Sequence, residues 1–187
     1  MIQNPVLARL TLSTNAPAPA ATSWLDIDSP LGRLRLVGND LVVPGVSFDE
    51  DAAVATAGLE PRERDATTAL AVQLDQYFAG QRRDFDVALA VPGTPFQLLV
   101  WNALLAINYA DTASYAEIAA RIDHPRAHRA VGSANRRNPL PIIVPCHRVN
   151  ATDGALAGYG GGLDRKRFLL DLELTNRDRA LYHQTHP

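Results

Sequence analysis

The sequence predicts an α+β chain built as two domains, a small sheet-and-helix domain followed by a winged-helix-like domain that contains a helix-turn-helix. Three observations carry this. Residues 24–92 hold short runs of alternating apolar and polar side chains broken by turns, with one amphipathic helix near their end. Residues 93–175 carry the start signature of a helix twice, at Thr94 and at Ser114. A short apolar run then ends at the only cysteine of the chain, and a Gly-rich loop and a last helix follow.

A chain of 187 residues has room for two small domains with real cores. Its 47% apolar and 20% charged content is that of a soluble globular protein. No run approaches the roughly 18 apolar residues that a membrane span needs. The first residues offer Arg9 as early charge and no long apolar stretch, so no secretory leader is expected. A single cysteine excludes an internal disulfide and any multi-cysteine zinc site, and it fits a reducing, cytoplasmic setting. The net charge of −2 gives no global attraction to nucleic acid. Locally, Arg121, Arg126, Arg129, Arg136, Arg137 and Arg148 face a single acid, Asp123, which fits a phosphate-facing patch. Arginine is common throughout this chain and Lys166 is its only lysine, so the patch also fits a compositional bias.

In order along the chain, residues 1–23 have linker-like composition around Asn15-Ala16-Pro17-Ala18-Pro19 and read as a partly flexible extension, with Val6 to Leu12 a short strand. Leu25 and Ile27 alternate with Asp26 and Asp28. Ser29-Pro30-Leu31-Gly32 makes a turn, and Leu34 and Leu36 alternate with Arg33 and Arg35, which predicts a hairpin. Leu41-Val42-Val43 and Val46 to Phe48 continue the sheet, and 49–64 reads as an acidic loop. Leu70, Leu74, Tyr77 and Phe78 share one face of a helix over 65–79, stopped by Gly80. Phe85, Val87, Leu89 and Val91 alternate as a strand. Nothing in 24–92 gathers chemically capable residues, and this domain reads as structural.

Pro92-Gly93 marks the boundary to the second domain, 93–175. Thr94 caps a helix with Pro95 at its first position and Gln97 completing the box, and Phe96, Val100, Leu104 and Ile107 form its apolar face. Ser114 and Glu117 form a second box, whose helix ends near Asp123. Pro125 opens a further helix to about Asn135, so two short helices with a tight turn give the helix-turn-helix pattern. On the second helix Ala127, Ala130 and Ala134 recur at i, i+3 and i+7, a small-residue face able to approach a surface closely, with Arg129 beside it. The same pattern fits a helix packed against another helix.

Leu140-Pro141-Ile142-Ile143-Val144 reads as a buried strand that delivers Cys146 to the mouth of a loop, beside His147. A free thiol with a pKa of about 8.5 is mostly protonated at neutral pH and needs a base. His147 is the nearest base, and Glu173, on a helix over 164–174, is the candidate acid to orient it. Spacing alone leaves Cys146 open to being an inert buried thiol and Glu173 an exposed acid.

The sequence resembles the methylated-DNA–protein-cysteine methyltransferases, or O6-alkylguanine-DNA alkyltransferases. The resemblance runs through Gly93-Thr94-Pro95-Phe96-Gln97, Tyr109, Ser114-Tyr115-Ala116-Glu117, Arg129-Ala130-Val131-Gly132, Asn138-Pro139 to Cys146-His147-Arg148-Val149, Gly158-Tyr159-Gly160-Gly161-Gly162 and Leu169 to Glu173. It covers the second domain; the first matches loosely and is implied to be ribonuclease H-like. Ala110, His128, Asn150 and Ala157 depart from the pattern.

The resemblance implies direct repair of duplex DNA containing O6-alkylguanine, with O4-alkylthymine as a further substrate. The second helix would enter the minor groove, about 6 Å wide, with Ala127, Ala130, Gly132, Arg126 and Arg136 at the DNA. Arg129 would fill the gap left by a flipped base, and Tyr115 would crowd the target phosphate and protonate the ring at N3. Val149, Tyr159, Gly160 and Pro141 would line the base and alkyl pocket. Asn138 would tie the helix to the active-site turn, and Glu173, His147 and a water would take the proton from Cys146. The product is a thioether, so the transfer is irreversible, single-turnover, and needs no cofactor and no metal. A monomer is expected, with cooperative binding along DNA left open. Two other classes remain: a non-enzymatic regulator or lesion sensor that binds DNA, and a cysteine hydrolase using Cys146, His147 and Glu173.

Overall fold

The computed structural model describes residues 23–39, 41–48, 60–61, 66–156 and 158–185. The expected strand at Val6 to Leu12 lies outside them. The first domain is a four-stranded sheet in the order β3-β2-β1-β4, made of β1 (Ser23–Ile27), β2 (Leu34–Gly38), β3 (Gly45–Phe48) and β4 (Glu60–Pro61). β1 and β2 form the expected antiparallel hairpin, paired from Ser23↔Gly38 to Ile27↔Leu34. Its turn closes by mutual backbone hydrogen bonds between Ser29 and Gly32, and Gly32 takes the left-handed conformation the turn requires (φ +93°). β3 pairs antiparallel with β2, and β4 pairs parallel with β1 inside what the sequence predicts to be loop.

The period of two sorts the side chains. Leu34, Leu36, Val46 and Phe48 are buried and meet Leu70, Leu74 and Tyr77 of α1 (Ala66–Phe78). Each such buried side chain contributes about 1.5–3 kcal/mol. On the other face Asp26 and Arg35 pair through two 2.6 Å hydrogen bonds, and the guanidinium lies 4.1 Å over the Trp24 ring.

Two expected strands are absent. Leu41 to Val43 and Phe85 to Val91 share one isolated bridge, Val43↔Leu89. The reason lies in the hydrogen bonding. The Gln73 side chain on α1 accepts from the Asp86 N–H at 2.7 Å and donates to its carbonyl at 3.0 Å. The alternating side chains therefore pack against a helix rather than extend a sheet.

In the second domain α2 (Pro95–Leu105) has its full capping box, Thr94 with Gln97. Its buried face is Leu98, Val100, Trp101 and Leu104, so Phe96 sits at the edge of the expected stripe. α3 (Tyr115–Arg121) has the Ser114–Glu117 box as expected. α4 (His128–Arg136) starts three residues later than the proline suggests, because the chain turns through 125–127 first. Trp101 on α2 donates its indole N–H to the Ala134 carbonyl at 3.0 Å and fastens α4 to the core. β5 (Ala113–Ser114) and β6 (Val149–Asn150) pair in parallel. This joins the start of α3 to the residue that follows the Cys146 motif. α5 (Leu163–Thr185) runs well past the expected 164–174. Among the described residues no helix is long and apolar enough to cross a membrane.

Candidate functional site

The segment before Cys146 is buried, as expected, but it is not a strand. Pro139, Pro141 and Pro145 have no N–H to give a ladder. The chain coils instead: the Val144 N–H bonds the Leu140 carbonyl at 2.9 Å, and Ile142 takes a left-handed φ of +76°. A one-turn 3-10 helix, Cys146–Arg148, follows and places all three side chains inside. A buried apolar run has the same pattern whether it extends or coils, which is why the sequence misleads here.

Asn138 organises this turn. Its amide donates to the Val144 carbonyl at 2.7 Å and to Cys146 Sγ at 3.0 Å, while its oxygen accepts from the Leu140 N–H at 3.0 Å. Asn135, on the last turn of α4, reaches the Cys146 carbonyl at 3.4 Å. Burial pushes the Cys146 thiol up to about 11, against the pull of the Asn138 donor and the Lys166 charge. The resting sulfur is therefore a thiol.

Glu173 is fully buried at the centre of a donor cluster. His147 Nε2 lies 3.0 Å from Oε1. Arg148 donates from Nη2 to Oε1 at 2.8 Å and from Nε to Oε2 at 3.0 Å. The Tyr77 hydroxyl donates to Oε1 at 2.6 Å and the Ala110 N–H to Oε2 at 3.0 Å. Against its burial, the donors from His147 and Arg148 hold the Glu173 carboxyl far below the carboxylate range. An ionised Glu173 only accepts, so His147 carries its proton on Nε2 and its lone pair on Nδ1. Nδ1 is buried with no hydrogen-bond partner among the described residues. Burial lowers the His147 pKa despite Glu173, so the ring is neutral at neutral pH. Thiol and imidazole are thus both neutral, and the histidine keeps an Nδ1 lone pair able to act as a base.

A pocket of about 120 Å³ opens beside the sulfur. Asn135, Arg136, Asn138, Pro141, Cys146, Tyr159 and Gly160 line it, together with Val46, Ser47 and Phe48 from β3 of the first domain. Burial raises the Tyr159 phenol well above its ordinary value, and its hydroxyl has no hydrogen-bond partner among the described residues. Tyr115 sits across Gly132, where a Cβ would lie 3.8 Å from its ring, and its hydroxyl donates to the Gly158 carbonyl at 3.3 Å. The Val149 carbonyl accepts from the buried Lys166 ammonium.

The small-residue face of α4 is divided. Ala134 is buried, Ala127 and Gly132 half-buried and Ala130 exposed, so the outward residues are His128, Arg129, Ala130, Ser133 and Arg136. The arginine patch loses a member as well, since Arg148 points into the core while Arg121, Arg126, Arg129, Arg136 and Arg137 stay exposed. Sequence reasoning missed Tyr77, Lys166 and the inward turn of Arg148. Tyr77 had a signal only as a core residue of α1. No group of His, Cys, Asp and Glu suited to a metal occurs among the described residues.

Two family models match the chain. Residues 25–91 match the ribonuclease-like domain of 6-O-methylguanine DNA methyltransferase and residues 95–175 match its DNA binding domain. A methylated-DNA–protein-cysteine methyltransferase of Mycobacterium tuberculosis is 48% identical over 147 residues, 79% of this chain and 89% of the relative. One from Methanosarcina acetivorans is 48% identical over 151 residues, 78% of this chain and 94% of the relative. The crystal structure of Mycobacterium tuberculosis OGT in complex with DNA superposes with a TM-score of 0.78 at 46% identity, covering 83% of this chain and 94% of that one.

Proposed function

The chain belongs to the 6-O-methylguanine DNA methyltransferase family and is a DNA-repair alkyltransferase, and we propose that Cys146 is the atom to which it moves the alkyl group of O6-alkylguanine. The observation that carries this is the buried Cys146 thiol, 3.0 Å from the Asn138 amide, followed directly in the chain by a neutral His147 bonded to an ionised Glu173. His147 takes the thiol proton on Nδ1, directly or through one water, and Glu173 stabilises the imidazolium through Nε2–H. Asn138, with its amide at 3.0 Å from the sulfur, steadies the thiolate as it forms. The thiolate attacks the alkyl carbon, the S–C bond forms, and the C–O6 bond breaks with its electron pair left on the guanine.

The anionic guanine is a poor leaving group, and a proton offered to the ring lowers the barrier. Tyr115 is the residue that would make this donation. Burial and the neighbouring Cys146 raise its pKa, so it remains a donor. The base reaches the pocket only when out of the helix stack, with Tyr159, Gly160 and Pro141 around it, while Val149 lies outside the lining with its carbonyl held by Lys166. The exposed face of α4 supplies the groove contact, with Arg129 taking the place of the flipped base. The thioether product has no easy leaving group, so one molecule performs one transfer.

Incubation with a duplex bearing O6-methylguanine, followed by peptide mass mapping, tests the reading. One methyl group on the Cys146 peptide and none on a Cys146→Ser variant is expected. Tight DNA binding with an unchanged Cys146 supports the lesion-sensor alternative, and repeated turnover of an ester supports the hydrolase.

A further inference from the structure

We propose that Phe48, a residue of the first domain, sets the largest alkyl group that the Cys146 pocket admits, by lining the pocket itself and by fixing Tyr159 beside it. The inference rests on Cys146 being the alkyl acceptor. Tyr159 and Cys146 line the same pocket, so the room for an alkyl group on the sulfur depends on where the Tyr159 ring can go. The Phe48 ring packs edge-on against it, with centroids 6.3 Å apart and planes at 69°. Phe48 is itself 5% exposed and cannot retreat into solvent.

Its other side is closed by Arg165, whose guanidinium lies 4.4 Å from the ring centroid. Arg165 is held in turn by the Leu31 carbonyl at 2.9 Å and the Gly161 carbonyl at 3.2 Å. The loop has no slack of its own either. A Cβ on Gly161 would meet Phe48 Cε2 at 2.5 Å and Tyr159 Cε1 at 2.9 Å, so both rings press on that backbone. Phe48 and Tyr159 thus form one wall of the pocket across the domain boundary, with Arg165 behind Phe48. Close-packed walls of this kind yield only when a member is made smaller.

The test measures single-transfer rates to Cys146 from free O6-methylguanine and free O6-benzylguanine, for the wild type, Phe48→Leu and Arg165→Gln. Phe48→Leu is expected to raise the benzyl-to-methyl rate ratio about tenfold, the scale on which pocket volume discriminates substrates. Arg165→Gln leaves every pocket-lining side chain in place and should shift the ratio the same way by less. A general loss of stability lowers both rates and leaves the ratio alone. An unchanged ratio in both variants, with the wild type transferring methyl normally, overturns the role of Phe48. Should Phe48→Leu fail to fold, the Arg165→Gln ratio decides by the same criterion. A wild type that alkylates no cysteine from either base overturns the acceptor assignment, and this inference with it.

Discussion

Glu173 is the residue on which the chemistry closes, and it dictates how the protein responds to acid. Its folded pKa lies far below the unfolded carboxylate value, and that of His147 lies below its ordinary value. In both cases the unfolded chain binds more protons, so each contribution is complete above the unfolded pKa and is lost as pH falls. The loss should begin below about pH 6.5 through His147 and deepen below about 4.3 through Glu173. Thermal unfolding between pH 8 and 3.5 should therefore show Tm falling in two stages. A Tm that climbs from pH 7 to 5 contradicts the buried neutral histidine. Asn138, Cys146 and His147 stand out in the sequence because they lie in one dense, local segment, whereas Glu173 lies 26 positions beyond His147 and spacing alone leaves it open to being an exposed acid. Tyr77 is not, since its hydroxyl serves a carboxylate 96 positions away and nothing near it in the chain marks that partner. Arg148 misleads for the same reason: a run of arginines carries no sign of which one turns inward.

At the scale of elements, α4 is the helix that, on the proposed reading, decides whether duplex DNA is a substrate. Its inner face is fixed by Val131, Ala134 and Asn135 and by the Trp101 bond, so the outward face is presented rigidly. Arg129→Ala should slow repair of a duplex by ten-fold or more, roughly 1.4 kcal/mol in the barrier, yet react with the free base at nearly the wild-type rate. Equal loss on both substrates argues against a flipping role. The helix starts at Thr94 and Ser114 are readable because a capping box is a contact within four residues. The start of α4 is misread because a proline suits a turn as well as a first helical position. The expected strands at Leu41, Phe85 and Leu140 fail because alternation and apolar runs report burial, and the partner, whether strand, helix or coil, lies elsewhere in the chain.

Across the whole molecule, the first domain is more than the structural companion its sequence suggests. Its Tyr77 holds the second domain's Glu173, and the Val46 N–H on β3 bonds the Pro139 carbonyl at 2.9 Å, next to the turn of Asn138. Tyr77→Phe keeps the ring and its packing against Phe78, Phe85 and Tyr109 and removes only the bond to Glu173. A hydrogen bond to a charged group contributes about 1.5–3 kcal/mol, so urea unfolding should show a loss of that order. The unfolding should remain a single transition, since the Val46–Pro139 bond and the shared pocket lining still tie the two domains into one cooperative unit.

The buried Lys166 has one more consequence. It is the only lysine in the chain, as Cys146 is the only cysteine. The Lys166 amine, bonded to the Val149 carbonyl, is fully buried and hidden from reagents, while the Cys146 sulfur faces only its pocket. Burial brings the Lys166 pKa down to about 8, and opening restores the ordinary lysine value, so labelling belongs at about pH 9, where a useful fraction of the exposed amine is neutral. An acylating label at Lys166 reads the opening of this half of the molecule at a single position, without any engineered probe. Comparing its labelling rate before and after alkyl transfer reports directly on how far an adduct on Cys146 loosens the structure around it.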